Sequence, residues 1–189
     1  HMYINSYYFI SLYMPYRLIA AMGRNFGIGH RFSLPWDIPS DMRQFTKLTK
    51  GTGNNAIVMG RNTWESIACS PLRGRANIVM SSDPAKVLNA DAAAGVATSI
   101  PEVLEMCTKY DDVWVIGGGM VYEQFLRQAL CDSCHLTRID EEYPADVFFP
   151  MHLIHGRWIT ESIITLDDNP KVEQHVMIPG DALGLPFDF

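Results

Sequence analysis

The chain has 189 residues, with 15 Lys and Arg against 21 Asp and Glu, a net charge of −6. That length suits one domain that buries its own core, and 48% hydrophobic with 19% charged residues excludes a disordered chain. The acidic balance argues against a nucleic-acid partner and a polybasic membrane anchor, and no apolar run reaches the roughly 18 residues that span a bilayer.

Taken in chain order, His1-Met2 reads as an expression scar. Residues 3–16 are aromatic but lack the basic start and small-residue cleavage site of a signal peptide. Met14 is therefore expected to begin a domain over 14–180, with 1–13 as an extension and 181–189 as a tail. Residues 18–22 (LIAAM) predict a buried strand, and 23–39, punctuated by Gly27, Gly29, Pro35 and Pro39, a long loop. Residues 40–47 predict a helix with Met42 and Phe45 on one face. Strands follow at 56–59 and 77–80. Residues 99–108, with Pro101 in the first turn, predict a helix. A strand at 113–116, the glycine turn Gly117-Gly118-Gly119 and a helix at 121–129 come next. Strands at 134–139, 158–164 and 173–178 complete the set. Continuous apolar strands separated by helices predict an α/β fold: a mainly parallel central sheet covered by helices on both faces, with an antiparallel C-terminal edge.

Cys131-Asp-Ser-Cys134 has C-x-x-C spacing, but no second pair follows and His135 lies too close for a usual fourth ligand. With Cys69 and Cys107 these are expected to be small buried thiols, without a metal site.

Three segments carry candidate chemistry. Gly117-Gly118-Gly119 joins a buried strand to a helix, where glycines admit a close ligand and free N–H groups face an anion; a tight structural turn is the alternative. Gly60-Arg61-Asn62-Thr63 puts a cation at a helix start, against the dipole, which makes sense if Arg61 grips a phosphate. Ser81 and Ser82 end the neighbouring strand and could hold the same group, although plain surface placement explains all of these residues as well. Asp41 begins a helix, where it complements the dipole. Its company of Trp36, Met42 and Phe45 also suits a carboxylate that meets a donor-rich ligand.

In family order, the motifs at 18–22, 27–29 (GIG), 34–45 (LPWDIPSDMRQF), 57–67 (IVMGRNTWESI), 74–82 (GRANIVMSS), 113–126 (VWVIGGGMVYEQFL), 136–140 (LTRID) and 146–150 (DVFFP) resemble the dihydrofolate reductase family. No thymidylate synthase half accompanies them, so the likeness is to the monofunctional form, and an aspartate at position 41 resembles bacterial enzymes. The resemblance implies NADPH-dependent reduction of 7,8-dihydrofolate to tetrahydrofolate in one-carbon metabolism, in a cytoplasmic monomer that antifolates also bind. It implies a catalytic set of Asp41, Trp36 and Thr137. Ile19, Ala20, Met42, Phe45, Ile67, Leu72, Ile116 and Tyr122 would surround the substrate, with Arg75 pairing its glutamate tail. Ala21, Gly27, Ile28, Gly29, Gly117, Gly118, Gly119, Met120, Val121, Tyr122 and Gln124 would line the cofactor channel. Arg61, Asn62, Thr63, Ser81 and Ser82 would hold its phosphates, Arg61 favouring the 2′-phosphate, and the 27–34 loop would act as a lid. Arg73 could compete with Arg75, and Asp83 could weaken phosphate selectivity. A pyrimidine reductase of riboflavin synthesis lacks the Trp36–Asp41 segment, and a non-catalytic binding homologue would not need the acid.

Overall fold

In the computed structural model the described residues are 16–31 and 33–183. The expected extension, the start at Met14 and the last six residues of the tail lie outside them. Eight strands form one sheet in the order β5-β4-β3-β6-β1-β7-β10-β9. These are β1 (Tyr16–Met22), β3 (Ala56–Gly60), β4 (Ala76–Met80), β5 (Gly95–Ala97), β6 (Val113–Gly117), β7 (Cys131–Ile139), β9 (Trp158–Asp168) and β10 (Lys171–Pro179). All neighbouring pairs from β5 to β7 are parallel, while β10 runs antiparallel to both β7 and β9. The expected parallel sheet with an antiparallel C-terminal edge is the one observed.

The apolar strands are continuous because both faces are covered. Alternate residues point to opposite sides. Leu18, Ala20, Val58, Ile78 and Val115 join one core cluster, into which α3 (Ile100–Met106) and α4 (Gly119–Arg127) insert Val103, Leu104, Val121 and Phe125. Ile19, Ile57, Met59, Val79 and Trp114 join the other, met by Phe45 and Leu48 of α1 (Pro39–Lys50) and Trp64 of α2 (Arg61–Ser66). Ser99 caps α3 by accepting from the Glu102 N–H at 3.4 Å, and Glu102 accepts from the Thr98 N–H at 2.7 Å. That reciprocal pair fixes where the helix starts.

Several boundaries differ from expectation. The loop at 23–39 contains β2 (Gly27–Gly29), which pairs antiparallel with β8 (Val147–Phe148) from the far side of the sequence. A three-residue strand with glycine at both ends carries no periodic signal, so only its distant partner reveals it. β5 is equally short. α1 runs three residues further than expected, to Lys50, because Lys47 and Lys50 suit its C-terminal end and Gly51 closes it. The glycine at 119 begins α4 rather than preceding it. Cys107, Cys131 and Cys134 are buried and Cys69 is half-buried, all as free thiols. Burial pushes the Cys107 thiol up to about 11.

Buried Asn77 fastens the 67–75 loop to β4. Its side chain accepts from the Leu72 N–H at 2.9 Å and donates to the carbonyls of Leu72 at 3.0 Å and Arg75 at 2.9 Å. Losing all three would strand buried backbone groups, at about 1–3 kcal/mol each at most. Asn77→Ala is expected to lower unfolding free energy by about 2–4 kcal/mol. Urea denaturation measures it, and a change below about 0.5 kcal/mol would contradict the clamp.

Candidate active site

The registers bring the strand ends level. Gly60 lies beside Met80, and Met59 beside Gly117. The residues that follow, Arg61, Ser81 and Gly118, therefore gather along one edge, beyond the carboxyl ends of parallel strands, where ligands of open α/β sheets bind.

At that edge two helices start without side-chain caps, α2 at Gly60 and α4 at Gly118. A Cβ on Gly60 would lie 3.9 Å from both the Gly117 oxygen and the Gly118 nitrogen, and one on Gly118 would lie 3.7 Å from Thr63 Oγ1. The two turns thus share one small space. Gly117 has φ +120°, and a Cβ there would meet the Tyr122 hydroxyl at 3.1 Å, so no larger residue fits. Gly119 closes on the Phe148 carbonyl, 3.1 Å from its missing Cβ, which seats β8 and its partner Gly27–Gly29 over the turn.

The lateral walls are set by the strands. Ile19, Phe45, Ile67, Leu72 and Ile116 belong to one apolar cluster on the α1 face. Ala20 and Val121 turn to the opposite cluster, so their side chains face away and only backbone reaches the site. Tyr122 is also buried there, its hydroxyl 2.7 Å from the Ile19 carbonyl and 2.8 Å from that of Ile116. It ties β1 to β6 beneath the site. Met42 and Met120 are exposed, as are Leu34 and Phe148, giving the cleft an apolar rim. Asn62, Ser82 and Gln124 are exposed, and Ala21, Ile28 and Gly29 half-buried.

Asp41 occupies the first turn of α1 and is partly buried. Burial raises its carboxyl above the usual range, and the nearby Thr137 hydroxyl opposes that rise. Trp36 packs with Ile38, Ile139 and Tyr143, and its buried Nε1 donor has no partner among the described residues. A buried donor without an acceptor is what a ligand oxygen or its bridging water would satisfy. Along the outer side of α1 an open groove is lined by Asp37, Pro39, Met42, Arg43, Thr46 and Lys47; Asp41 lies outside it.

Arg75 is held rigidly. Its Nη1 donates to Thr49 Oγ1 at 3.0 Å, its Nε to the Arg73 carbonyl at 3.1 Å, and its guanidinium lies 5.9 Å from the Phe45 ring centroid. Arg73 itself is exposed and contributes backbone only. Arg61 makes a long contact of 3.9 Å with Glu65. Ser81 is less free, since its hydroxyl donates to the Asp83 carbonyl at 2.9 Å and accepts from the Asp83 N–H at 3.2 Å. Asp83 caps a short turn by accepting from the Ala85 N–H. Sequence reasoning missed Thr49, Asn77, Gln44 and Gln174. Of these, Asn77 stands out as a polar residue in the apolar run 76–80, while Gln44, Thr49 and Gln174 each adjoin a charged residue and gave no local signal.

The family model described as dihydrofolate reductase matches residues 16–177. The bifunctional dihydrofolate reductase-thymidylate synthase of Daucus carota is 40% identical over 149 residues, covering 72% of this chain and 28% of that protein. The chain thus spans under a third of the plant bifunctional relatives it matches. A dihydrofolate reductase of Drosophila melanogaster is 35% identical over 148 residues, covering 72% of this chain and 80% of that one. Among solved structures, dihydrofolate reductase from Enterococcus faecalis, complexed with NADP(H) and RAB-propyl, superposes with a TM-score of 0.76 at 29% identity, covering 88% of this chain and 97% of that chain.

A carboxylate raised by burial destabilises the fold while it is ionised. The folded chain holds the Asp41 proton to higher pH than the unfolded chain does. Stability from this group is therefore greatest in acid and declines as pH rises through the raised value. Asp41→Asn is expected to increase the urea midpoint at pH 7, with the gain shrinking toward pH 4. A lower midpoint at pH 7 would show that the carboxylate is structurally satisfied.

Proposed function

The chain belongs to the dihydrofolate reductase family, and we propose that it catalyses NADPH-dependent reduction of 7,8-dihydrofolate to 5,6,7,8-tetrahydrofolate. The observation that carries this reading is Asp41, a single carboxylate lifted by burial and facing a hydroxyl donor. Such a group seeks a flat ligand with adjacent N–H donors, which dihydrofolate offers in its ring N3 and 2-amino group. Diaminopyrimidine antifolates offer a similar pair and a basic ring, so they are expected to compete there.

The residues present fit the dinucleotide. Uncapped amides at Gly60 and Gly118 share a glycine-lined space, suited to a pyrophosphate. Arg61, Thr63 and the neighbouring Asn62, Ser81 and Ser82 would hold the remaining phosphate, Ser81 after releasing Asp83. When bound, NADPH supplies a hydride to C6 of the pterin. Asp41 anchors the pterin edge and favours the protonated ring, so that N5 gains its proton as C6 is reduced. The paired Gly27–Gly29 and Val147–Phe148 segments exclude water from that step. Arg75 keeps its second Nη edge for the α-carboxylate of the glutamate tail. The domain is proposed to span residues 14–180 and to work as a cytoplasmic monomer.

A 340 nm assay with NADPH and dihydrofolate tests the activity, and no antifolate-sensitive absorbance loss would overturn it. Asp41→Asn is expected to lower kcat/KM at pH 7 by about 10²–10⁴-fold, with partial recovery in acid as the substrate preprotonates. Arg61→Ala is expected to raise KM for NADPH far more than for NADH. Equal increases would remove Arg61 from the 2′-phosphate site.

A further inference from the structure

On the sheet face that carries Asp41 lies a file of polar side chains that the proposed chemistry does not itself require. Thr137 of β7 stands directly opposite Gln174 of β10 in the antiparallel register, and each is 1% exposed. Gln174 Nε2 donates to Thr137 Oγ1 at 3.2 Å, and Gln44 Nε2 donates to Gln174 Oε1 at 3.1 Å. Gln44 sits on α1 three residues after Asp41, one turn along the same side of the helix. The file thus runs from Gln44 of α1 across β10 to Thr137 of β7, and the Thr137 hydroxyl lies near enough to Asp41 of α1 to lower its carboxyl.

The direction of each bond follows from what the groups carry. An amide has one accepting end and one donating end, while a hydroxyl has one hydrogen and can also accept. Gln44 donates to the oxygen of Gln174, which turns the Gln174 nitrogen toward Thr137. Thr137 accepts there, and its single hydrogen is left for Asp41. Both amide donors of the file therefore point from Gln44 toward Thr137, whose hydrogen is free to be donated to Asp41.

We propose that Gln174, oriented by Gln44, is a positioning residue that fixes the Thr137 hydroxyl as a hydrogen-bond donor to Asp41. The inference rests on Asp41 being the acid that anchors the pterin. A buried glutamine in the middle of a sheet face costs more than a leucine unless both ends of its amide are satisfied. Here both are satisfied, and by groups that lead to the acid. The file supplies dipoles and no cation, so it steadies the carboxylate without neutralising it.

Other titratable groups around Asp41 do not substitute for this device. Tyr122, from α4, has its hydroxyl committed to the carbonyls of Ile19 and Ile116. His135, two residues before Thr137 on β7, is held down at about 4 by burial and is neutral at working pH. Asp167, at the end of β9, meets Ser40 at 3.4 Å. Glu173 and His175 flank Gln174 on β10 and alternate to the opposite face, where His175 lines a separate cavity with Arg138 and His155.

The test titrates Asp41 by carboxyl ¹³C NMR in the ligand-free full chain and measures kcat/KM for dihydrofolate against pH. Gln174→Met keeps the volume and removes the donor. It is expected to move the Asp41 titration and the descending limb of the pH profile upward together, and to lower kcat/KM at pH 7 about three- to tenfold. Thr137→Val is expected to move both at least as far, and Gln174→Met added to Thr137→Val to move neither further. Gln44→Met, at the accessible end of the file, is expected to give a smaller shift in the same direction, and it carries the test if Gln174→Met does not fold. An Asp41 titration unmoved by either glutamine variant overturns the proposal, as does a Gln174→Met shift that persists on the Thr137→Val background. If the titration moves as expected while no form of the chain reduces dihydrofolate, the positioning role stands and the assigned activity falls.

Discussion

Burial of the central sheet on both faces is the constraint on which the rest of the structure depends. β1, β3, β4 and β6 give up nearly every side chain to one core cluster or the other, so none of these strands has a solvated face on which polar chemistry could be arranged. Ligand-facing groups are confined to the ends of strands and the first turns of helices. The glycine turn at Gly117–Gly119, the Gly60-Arg61 junction and Asp41 at the start of α1 all obey that rule. Tyr122 shows how tightly core and site are joined. Its hydroxyl meets two strand carbonyls from below while its ring fills the space over Gly117, so the turn is shaped by core packing rather than by loop flexibility.

The electrostatics run against the composition. The chain carries a net charge of −6, yet the groups proposed to meet ligands include Arg61, Arg75 and uncapped amides. Their expected ligands are phosphates and a carboxylate tail, and these cations are held by weak or neutral contacts that leave charge to spare: Arg75 by a hydroxyl and a carbonyl, Arg61 by a distant Glu65. Asp41 is the inverse case, an anion kept in a part-buried position with only a hydroxyl for company. The acidic total describes the outer surface; the proposed cleft is polarised locally, basic around Arg61 and Arg75 and acidic at Asp41.

What was legible in the sequence was whatever depends on near neighbours along the chain. Apolar runs at 56–59, 77–80 and 113–116 read as strands because β3, β4 and β6 are buried on both faces. Ser99 and Pro101 marked the start of α3 through local capping. Gly117–Gly119 and Asp41 were visible because their residue types are unusual at a strand-to-helix turn and beside aromatic residues. The β2–β8 pairing was not legible, since Gly27 and Phe148 are far apart in sequence and each strand is too short to show a period. Thr49 and Gln174 were hidden for the same reason, since their partners Arg75 and Thr137 lie 26 and 37 residues away. Asn77 announced a partner as a polar residue in an apolar stretch, but only the path of the 67–75 loop says which one.

α1 carries that register into the site. Asp41, Gln44, Phe45, Leu48 and Thr49 recur at helical spacing along its inward side. Gln44 joins the file through Gln174 to Thr137, Phe45 and Leu48 enter the apolar cluster, and Thr49 donates to the Phe45 carbonyl while accepting from Arg75. The eight-residue separation of Asp41 and Thr49 amounts to about 12 Å of helix rise. A single rigid element therefore sets the distance between the acid at one end of the cleft and the guanidinium at the other. On the proposed assignment, displacing α1 would move both anchors together, so substitutions that loosen its packing would weaken recognition of the ring and the tail in concert, whereas changes in the glycine turns would act on the cofactor side. The Gln44–Gln174 contact toward its N-terminal end and the Thr49–Arg75 contact near its C-terminal end pin the helix at both ends of that span.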